Sequence, residues 1–207
     1  CSIYITSNLV IYFFKYDFGG DSWYNAYTLF NTFGGAMQIL AMMLFFPILR
    51  KFLGTIQVFY TSFVMAILGY AVLLILMFVN MSNLYLLFVP AFFIFSANGM
   101  LSVLTTVFLA NTVDYGEWKN HRRDESVIFS MQTFVVKLAS GVAALVASIC
   151  LTVCNLSQNT DAGLRLTMTV FPIAGLLVAV FYFRKKYILS EQKVEEIAKE
   201  IKEMKKA

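Results

Sequence analysis

Hydrophobic residues fill six long runs of the chain, and short polar segments separate them. A helix needs about 20 mostly apolar residues to cross the roughly 30 Å of hydrocarbon in a bilayer. Five of the runs reach this length, and the first is cut short. None alternates between apolar and polar positions as a membrane-spanning strand does. The pattern therefore predicts an all-α polytopic bundle, with transmembrane helices at Ser2–Tyr16, Ala26–Leu49, Ile56–Val79, Leu84–Ala110, Val127–Cys154 and Leu164–Phe183.

The polar segments predict connecting loops, and their basic residues indicate the orientation of the chain. Eight Lys and Arg residues fall on one side of the predicted membrane and two on the other. Because cytoplasmic loops carry the excess of basic residues, the C-terminus is expected in the cytoplasm. The chain opens within an apolar run, and we expect an N-terminal half to join it from the cytoplasmic side. The predicted loops are Asp17–Asn25, Arg50–Thr55, Asn80–Asn83, Asn111–Ser126 and Asn155–Gly163.

The last residues follow a different pattern from the spans. Apolar residues recur there at spacings of three, four and three, at Val194, Ile197, Ile201 and Met204, and charged residues occupy the other face. This periodicity predicts an amphipathic helix that lies on the membrane surface or against the bundle. A solvated tail is the alternative. The chain thus divides into a membrane unit, residues 1–188, and a cytoplasmic amphipathic tail, residues 189–207.

The composition agrees with a membrane protein and excludes several functions. Hydrophobic residues make up 59% of the chain and charged residues 14%, against about 45–50% and 25% in soluble domains. The lipid bilayer is therefore an expected partner. The sequence has no phosphate-binding glycine loop, catalytic triad or metal-ligand motif, so neither an enzyme nor a bound cofactor is expected. The basic residues form no nucleic-acid surface.

Lys137 is the strongest candidate for a functional residue because it interrupts the fifth apolar run. At 1.5 Å per residue it lies roughly 18–20 Å from the predicted helix start, near the middle of the bilayer. A charge there costs about 2.5–3.5 kcal/mol, so it must be neutral, hydrated or paired. No acidic residue of the chain falls at this depth, and we expect its partners outside this sequence. A lysine that only extends along a water-filled crevice is the alternative.

Polar side chains on three spans predict a hydrated cavity suited to a ligand with many hydroxyl groups. Thr133 lies one turn before Lys137 and shares its face. Hydrogen bonding between packed helices is the alternative role for such positions. The other candidates are Gln132 on the same span, the stripe Tyr4, Asn8, Tyr12 and Lys15 on the first span, and Asn98, Ser102, Thr105 and Thr106 on the fourth.

The segment between the fourth and fifth spans concentrates charges of both signs at the predicted cytoplasmic boundary. Such charges can form ion pairs that break and close a gate, although an ordinary solvated loop also explains them. The residues are Asp114, Glu117, Lys119, Arg122, Arg123, Asp124 and Glu125.

Three segments carry a family resemblance: Asp114–Lys119 (DYGEWK), Arg123–Ser126 (RDES) and Ser130–Lys137 (SMQTFVVK). They closely resemble the signature of the glycoside–pentoside–hexuronide:cation symporters, the melibiose permease-like branch of the major facilitator superfamily. Tyr12–Tyr16 (YFFKY) resembles the seventh helix of that family. The resemblance implies the C-terminal six-helix half of a twelve-helix transporter in the cytoplasmic (inner) membrane. It also implies sugar uptake driven by Na⁺, Li⁺ or H⁺, with the cation bound mainly by the N-terminal half.

The resemblance also assigns roles to particular residues. Lys137 matches a lysine beside the carboxylates of the N-terminal half, and Thr133 and Val136 match positions at the sugar cavity. Asp114, Glu117 and Arg123 match a cytoplasmic ion-pair network, which Arg50 is expected to join.

Two departures from the family pattern limit what can be carried over. Asn111 stands where the family commonly has Asp, and Ser102 where a known member has a bulky tryptophan. A solute receptor or sensor and an uncoupled sugar uniporter therefore stay open as alternatives.

Overall fold

The computed structural model describes residues 2–18, 22–79, 84–121, 124–153, 161–187 and 191–204, and their regular structure is helical throughout. The predicted all-α bundle is therefore confirmed. The helices are α1 (Ser2–Tyr12), α2 (Trp23–Leu40), α3 (Phe46–Phe52), α4 (Thr55–Val79), α5 (Leu84–Asn120), α6 (Glu125–Val153), α7 (Asp161–Lys186) and α8 (Glu191–Met204).

Five helical segments of the described chain are long and apolar enough to span a membrane. They correspond to the second to sixth predicted spans. The first predicted span is also helical, because a π-helical turn, Phe13–Phe18, continues α1. This helix is shorter than the other five, as its short apolar run indicates.

A second π-helical turn, Ala41–Phe45, joins α2 to α3 directly before Pro47. Proline has no N–H to donate, and its ring collides with the carbonyl four residues earlier. That carbonyl belongs to Met43, inside the π turn. The wider turn accommodates the proline, so the chain stays helical from Trp23 to Phe52.

Helix α5 packs against α2 and α4. Helix α4 also packs against α7. Helix α7 in turn contacts α1, and α1 contacts α6. Gly99 sets the α2–α5 distance, since a Cβ at this position would lie 2.5 Å from the backbone carbonyl oxygen of Gln38. A close approach of this kind, made by small residues, is how membrane helices gain packing contacts.

A chain of buried hydroxyl groups ties α4 to α1 and α7. The Tyr70 hydroxyl lies 3.0 Å from Thr6 Oγ1, and the Thr6 hydroxyl lies 3.3 Å from the Met168 carbonyl oxygen. Tyr70 is fully buried, so these bonds replace the water that its hydroxyl loses. They fix the relative positions of three helices that apolar contacts alone would hold less specifically.

Aromatic rings hold α4, α5 and α7 together at the end of the bundle where α8 lies, which we call the α8 end. The Phe59 ring packs on Phe183 and Phe108, with centroids 4.1 and 5.5 Å apart. Tyr187 stacks on Phe183 at 4.4 Å. Such pairs contribute about 0.5–1.5 kcal/mol each beyond their buried area.

The predicted loop at Asn111–Ser126 is wrong over most of its length. Helix α5 continues to Asn120, which adds ten residues, or about 15 Å, beyond the predicted span. Charge density suggested a loop, but the segment contains no proline and only one glycine, Gly116, that could end a helix. The extension gains tertiary support because α8 packs against α5 and Val113 is buried.

Other predicted loops are also shorter than expected. Only Leu53 and Gly54 separate α3 from α4, and α7 already begins at Asp161. The predicted loop Asn80–Asn83 lies outside the described residues. The tail helix was predicted to lie either on the membrane surface or against the bundle. In the structure it packs against the bundle, where Ile197 and Ile201 are buried.

We expect Gly99→Ala to destabilise the protein by about 1–3 kcal/mol, because the added methyl group must push α2 away from α5. Thermal unfolding of the purified protein in detergent would measure this loss. Gly116→Ala is the matched control on the same helix, since nothing lies within 4 Å of its added Cβ. Equal unfolding temperatures for the two variants would contradict the close-packing role of Gly99.

Candidate functional site

Helix α6 makes few contacts with the rest of the bundle over its first part. None of its residues from Glu125 to Val142 is buried. Its contact with α1 comes later, where Ala143 and Ala147 are buried. The first part of α6 therefore offers a long surface that the described helices leave open.

Lys137 lies on this open part of α6 and is exposed. It is 12 residues from Glu125, the first residue of the helix, which corresponds to roughly 18 Å along the axis. Within the described residues its ammonium group has no ion-pair or hydrogen-bond partner. The amino group of Lys137 is therefore available to a group outside the described helices.

The other predicted residues of α6 surround Lys137 on the same helix. Thr133 is exposed, and its hydroxyl donates to the Phe129 carbonyl at 3.0 Å. Val136 is 41% exposed and Gln132 is half-buried. Helical geometry thus brings Gln132, Thr133, Val136 and Lys137 within two turns.

The polar positions of α5 use their hydroxyl groups within their own helix. Ser102 donates to the Asn98 carbonyl at 3.0 Å, and Thr105 donates to the Leu101 carbonyl at 2.8 Å. Both side chains are exposed. Their oxygens can still accept a hydrogen bond from a ligand, since a hydroxyl has two lone pairs. Helices α5 and α6 make few contacts with each other compared with α5 and α4.

Tyr12 lies at a groove between α1 and α6 rather than beside Thr133. Its ring stacks on Tyr16, with centroids 6.3 Å apart. The predicted stripe on α1 ends there, because Lys15 falls in the π turn, where the spacing of an α-helix no longer holds. The groove has a volume of about 360 Å³ and is lined on the α6 side by Ala144, Ala147, Ser148 and Leu151.

A second cavity, of about 50 Å³, lies between α1, α2, α4, α5 and α7 and was not predicted from the sequence. Thr6, Asn31, Tyr70 and Asn98 supply polar groups to its lining. Asn31 and Tyr70 belong to none of the polar stripes from which the hydrated cavity was predicted. Only the packing of the helices shows that they converge.

At the α8 end, two predicted gate residues line one cavity of about 150 Å³. Arg50 lies in the last turn of α3, and Asn111 lies on the extension of α5. The lining also includes Tyr187 after α7 and Glu195 of α8. Asp114 and Glu117 lie further along the same extension of α5, on a helix rather than in the predicted loop. Arg123 lies outside the described residues.

The tail helix α8 also contacts the extension of α5, a contact that was not predicted from the sequence. The Trp118 indole N–H donates to the Glu200 carboxylate, which links α5 to α8. The apolar face of α8 had indicated contact with a surface, but nothing in its spacing identified α5 as that surface.

A profile of the family described as "MFS/sugar transport protein" matches residues 1–190 of the chain. The chain belongs to this family. The resemblance to sugar symporters is therefore confirmed, and the chain is part of an integral membrane transport protein rather than an enzyme. The candidate site described above therefore lies in a chain of the MFS/sugar transport family.

Relatives with known or assigned names support the same family. The chain is 30% identical to the raffinose carrier protein of Pediococcus pentosaceus, over 96% of this chain and 31% of the relative. It is 27% identical to the lactose permease of Lactobacillus delbrueckii subsp. bulgaricus, over 93% and 31%. It is 25% identical to the uncharacterized symporter YjmB of Bacillus subtilis, over 95% of this chain and 42% of the relative. The chain therefore spans about a third of the length of the first two relatives and two fifths of the third.

We expect Ile197→Asp to release α8 from α5, because a carboxylate replaces a buried side chain whose burial contributes about 1.5–3 kcal/mol. The measurement uses a protein in which Trp23 is replaced, so that Trp118 is the single tryptophan. Its fluorescence emission should shift to longer wavelength, because the indole loses its hydrogen bond to Glu200 and becomes hydrated. Ala198→Asp is the matched control, because Ala198 is exposed on the same helix. Identical spectra for both variants would argue against the α5–α8 contact.

Proposed function

We propose that the chain is the C-terminal half of a cation-coupled symporter that carries a glycoside, pentoside or hexuronide across the cytoplasmic membrane by alternating access. The observation that carries this proposal is Lys137, a mid-span lysine on the open part of α6. Membership of the family, together with the similarity to a lactose permease and a raffinose carrier protein, supports a sugar as the substrate.

The charge of Lys137 requires a partner in the membrane, because an isolated charge at the bilayer centre is costly. We propose that carboxylates of an N-terminal six-helix half face α6 and pair with it. A coupling cation, Na⁺, Li⁺ or H⁺, binds the same carboxylates. Its binding changes the charge that Lys137 balances and so alters the relative free energies of the two facing states. A ligand shifts such an equilibrium only by its difference in affinity for the two states.

The sugar site in this proposal lies on the open face of α6 and its neighbours. Lys137 and Gln132 donate hydrogen bonds to hydroxyl groups, Thr133 accepts them, and Val136 packs against the ring. Ser102 and Thr105 contribute acceptors from α5, and Tyr12 contributes an aromatic surface from α1. When the cation takes the carboxylates, Lys137 is released from them and can bind the sugar, so occupancy by one ligand favours the other.

The cytoplasmic gate in this proposal is the α8 end. Arg50, Asp114, Glu117 and Arg123 form the ion pairs that close it, and Asn111 lies among them. This orientation keeps the C-terminus in the cytoplasm, with residues 1–188 as the membrane unit and residues 189–207 as a tail packed on the gate.

Uptake of labelled sugars into proteoliposomes that contain the complete gene product tests the proposal. We expect accumulation above equilibrium only with an inward gradient of Na⁺, Li⁺ or H⁺, and one gradient should support it best. Equilibration without accumulation would replace symport with a uniporter. Binding of sugar without entry would favour a receptor or sensor, the alternative to which the lost charge at Asn111 points.

Lys137→Ala should lower concentrative uptake by roughly 100-fold or more, since removal of one partner of a buried ion pair costs about 3–5 kcal/mol. Insertion into the membrane should be unchanged, as measured by yield and by thermal unfolding in detergent. Lys186→Ala is the control, because this exposed lysine lies in the last turn of α7. Normal accumulation by Lys137→Ala would remove the coupling role.

Asn111→Asp should favour the state closed at the cytoplasmic side, because it places a carboxylate in the cavity that Arg50 lines. The readout is the rate at which a thiol reagent modifies a cysteine introduced on the opposite side of the membrane, and this rate should rise about two- to tenfold. Asn120→Asp, exposed at the end of the same helix, is the control. An unchanged rate would place Asn111 outside the gate.

A further inference from the structure

The groove between α1 and α6 is large enough to hold a ligand group. Its volume of about 360 Å³ falls within the roughly 300–1,000 Å³ typical of small-molecule sites. The space exists because α6 contributes alanines, Ala144 and Ala147, where a larger side chain would close it. Side chains of α1, including Asn8 and Tyr12, form the opposite wall.

The chemistry of the lining favours a neutral ligand with many hydroxyl groups. None of its eight residues is charged. Asn8 is half-buried, and its amide has no hydrogen-bond partner within the described residues. The Ser148 hydroxyl, across the groove, likewise has none there. An amide and a hydroxyl together offer donors and acceptors in both directions, while the Tyr12 ring offers an apolar surface.

The groove is aligned with Lys137 along α6. Thr133, Lys137, Ala144 and Ser148 follow one another at spacings of four, seven and four residues, so they lie on one face of the helix. Ala144 and Ser148 are roughly 10 and 16 Å from Lys137 along the axis. One sugar ring is shorter than this separation, whereas a di- or trisaccharide can extend over it.

We propose that the α1–α6 groove is a second sugar subsite, which binds the outer unit of a glycoside whose first ring lies against Lys137. This inference rests on the proposed function and adds to it a substrate class, namely disaccharides and longer glycosides rather than free monosaccharides. Asn8 and Ser148 hydrogen-bond the outer unit, and Tyr12 packs against its apolar face. These three residues determine specificity, while Lys137 and Thr133 act on the inner ring.

The test compares a monosaccharide with a glycoside that contains it, in proteoliposomes of the complete gene product. Suitable pairs are galactose with lactose and glucuronate with phenyl glucuronide. Asn8→Leu and Ser148→Leu should each raise the KM for the larger sugar about tenfold and leave the KM for the smaller one within about twofold. Thr152→Leu is the control, because Thr152 is exposed on α6 and lies outside the lining.

A second measurement does not depend on the folding of the leucine variants. With the native cysteines replaced by alanine, Ser148→Cys should react with a thiol reagent, and the larger sugar, but not the smaller one, should slow the reaction at least fivefold. Protection by both sugars or by neither, or equal KM changes for both, would overturn the subsite. Uptake of monosaccharides alone would overturn it while the proposed function stands. Failure of the wild type to take up any sugar under any gradient would remove both.

Discussion

Polar groups inside a bilayer find their hydrogen-bond partners within the protein, and this constraint shapes most of the bundle. Hydroxyl groups of serine and threonine turn back onto carbonyls of their own helices, as Ser62 does at 2.8 Å from the Val58 carbonyl oxygen. Tyr70 and Thr6 satisfy each other between helices. Arg165 reaches the last turn of α4 and donates to the Met77 carbonyl at 2.7 Å.

A few polar groups have no hydrogen-bond partner within the described residues. Lys137, Asn8 and the Ser148 hydroxyl are such groups, and all three lie on α6 or on the side of α1 that faces it. They are among the positions where the described bundle has hydrogen-bonding capacity left, and the buried Ser96 hydroxyl of α5 is another.

The spans were predictable because hydropathy over 20 residues is a strong signal, and the depth of Lys137 followed from simple helix geometry. The helical extension of α5 was not predictable, because a high density of charged residues does not distinguish a helix from a loop. Asp114 and Glu117 are compatible with either. The cavity at Tyr70 and Asn31 required the tertiary arrangement of five helices. The groove at Asn8 and Ser148 likewise depends on how far α1 and α6 stand apart, a distance that no single span encodes.

The length of α5 has a mechanical consequence. Its 37 residues form a rod of about 55 Å, whereas the hydrocarbon layer is only about 30 Å thick. The rod is clamped near its middle, where Gly99 meets the backbone of Gln38. Any change in its tilt there sweeps its far end, with Trp118 and the attached α8, through an arc larger than the displacement inside the bilayer.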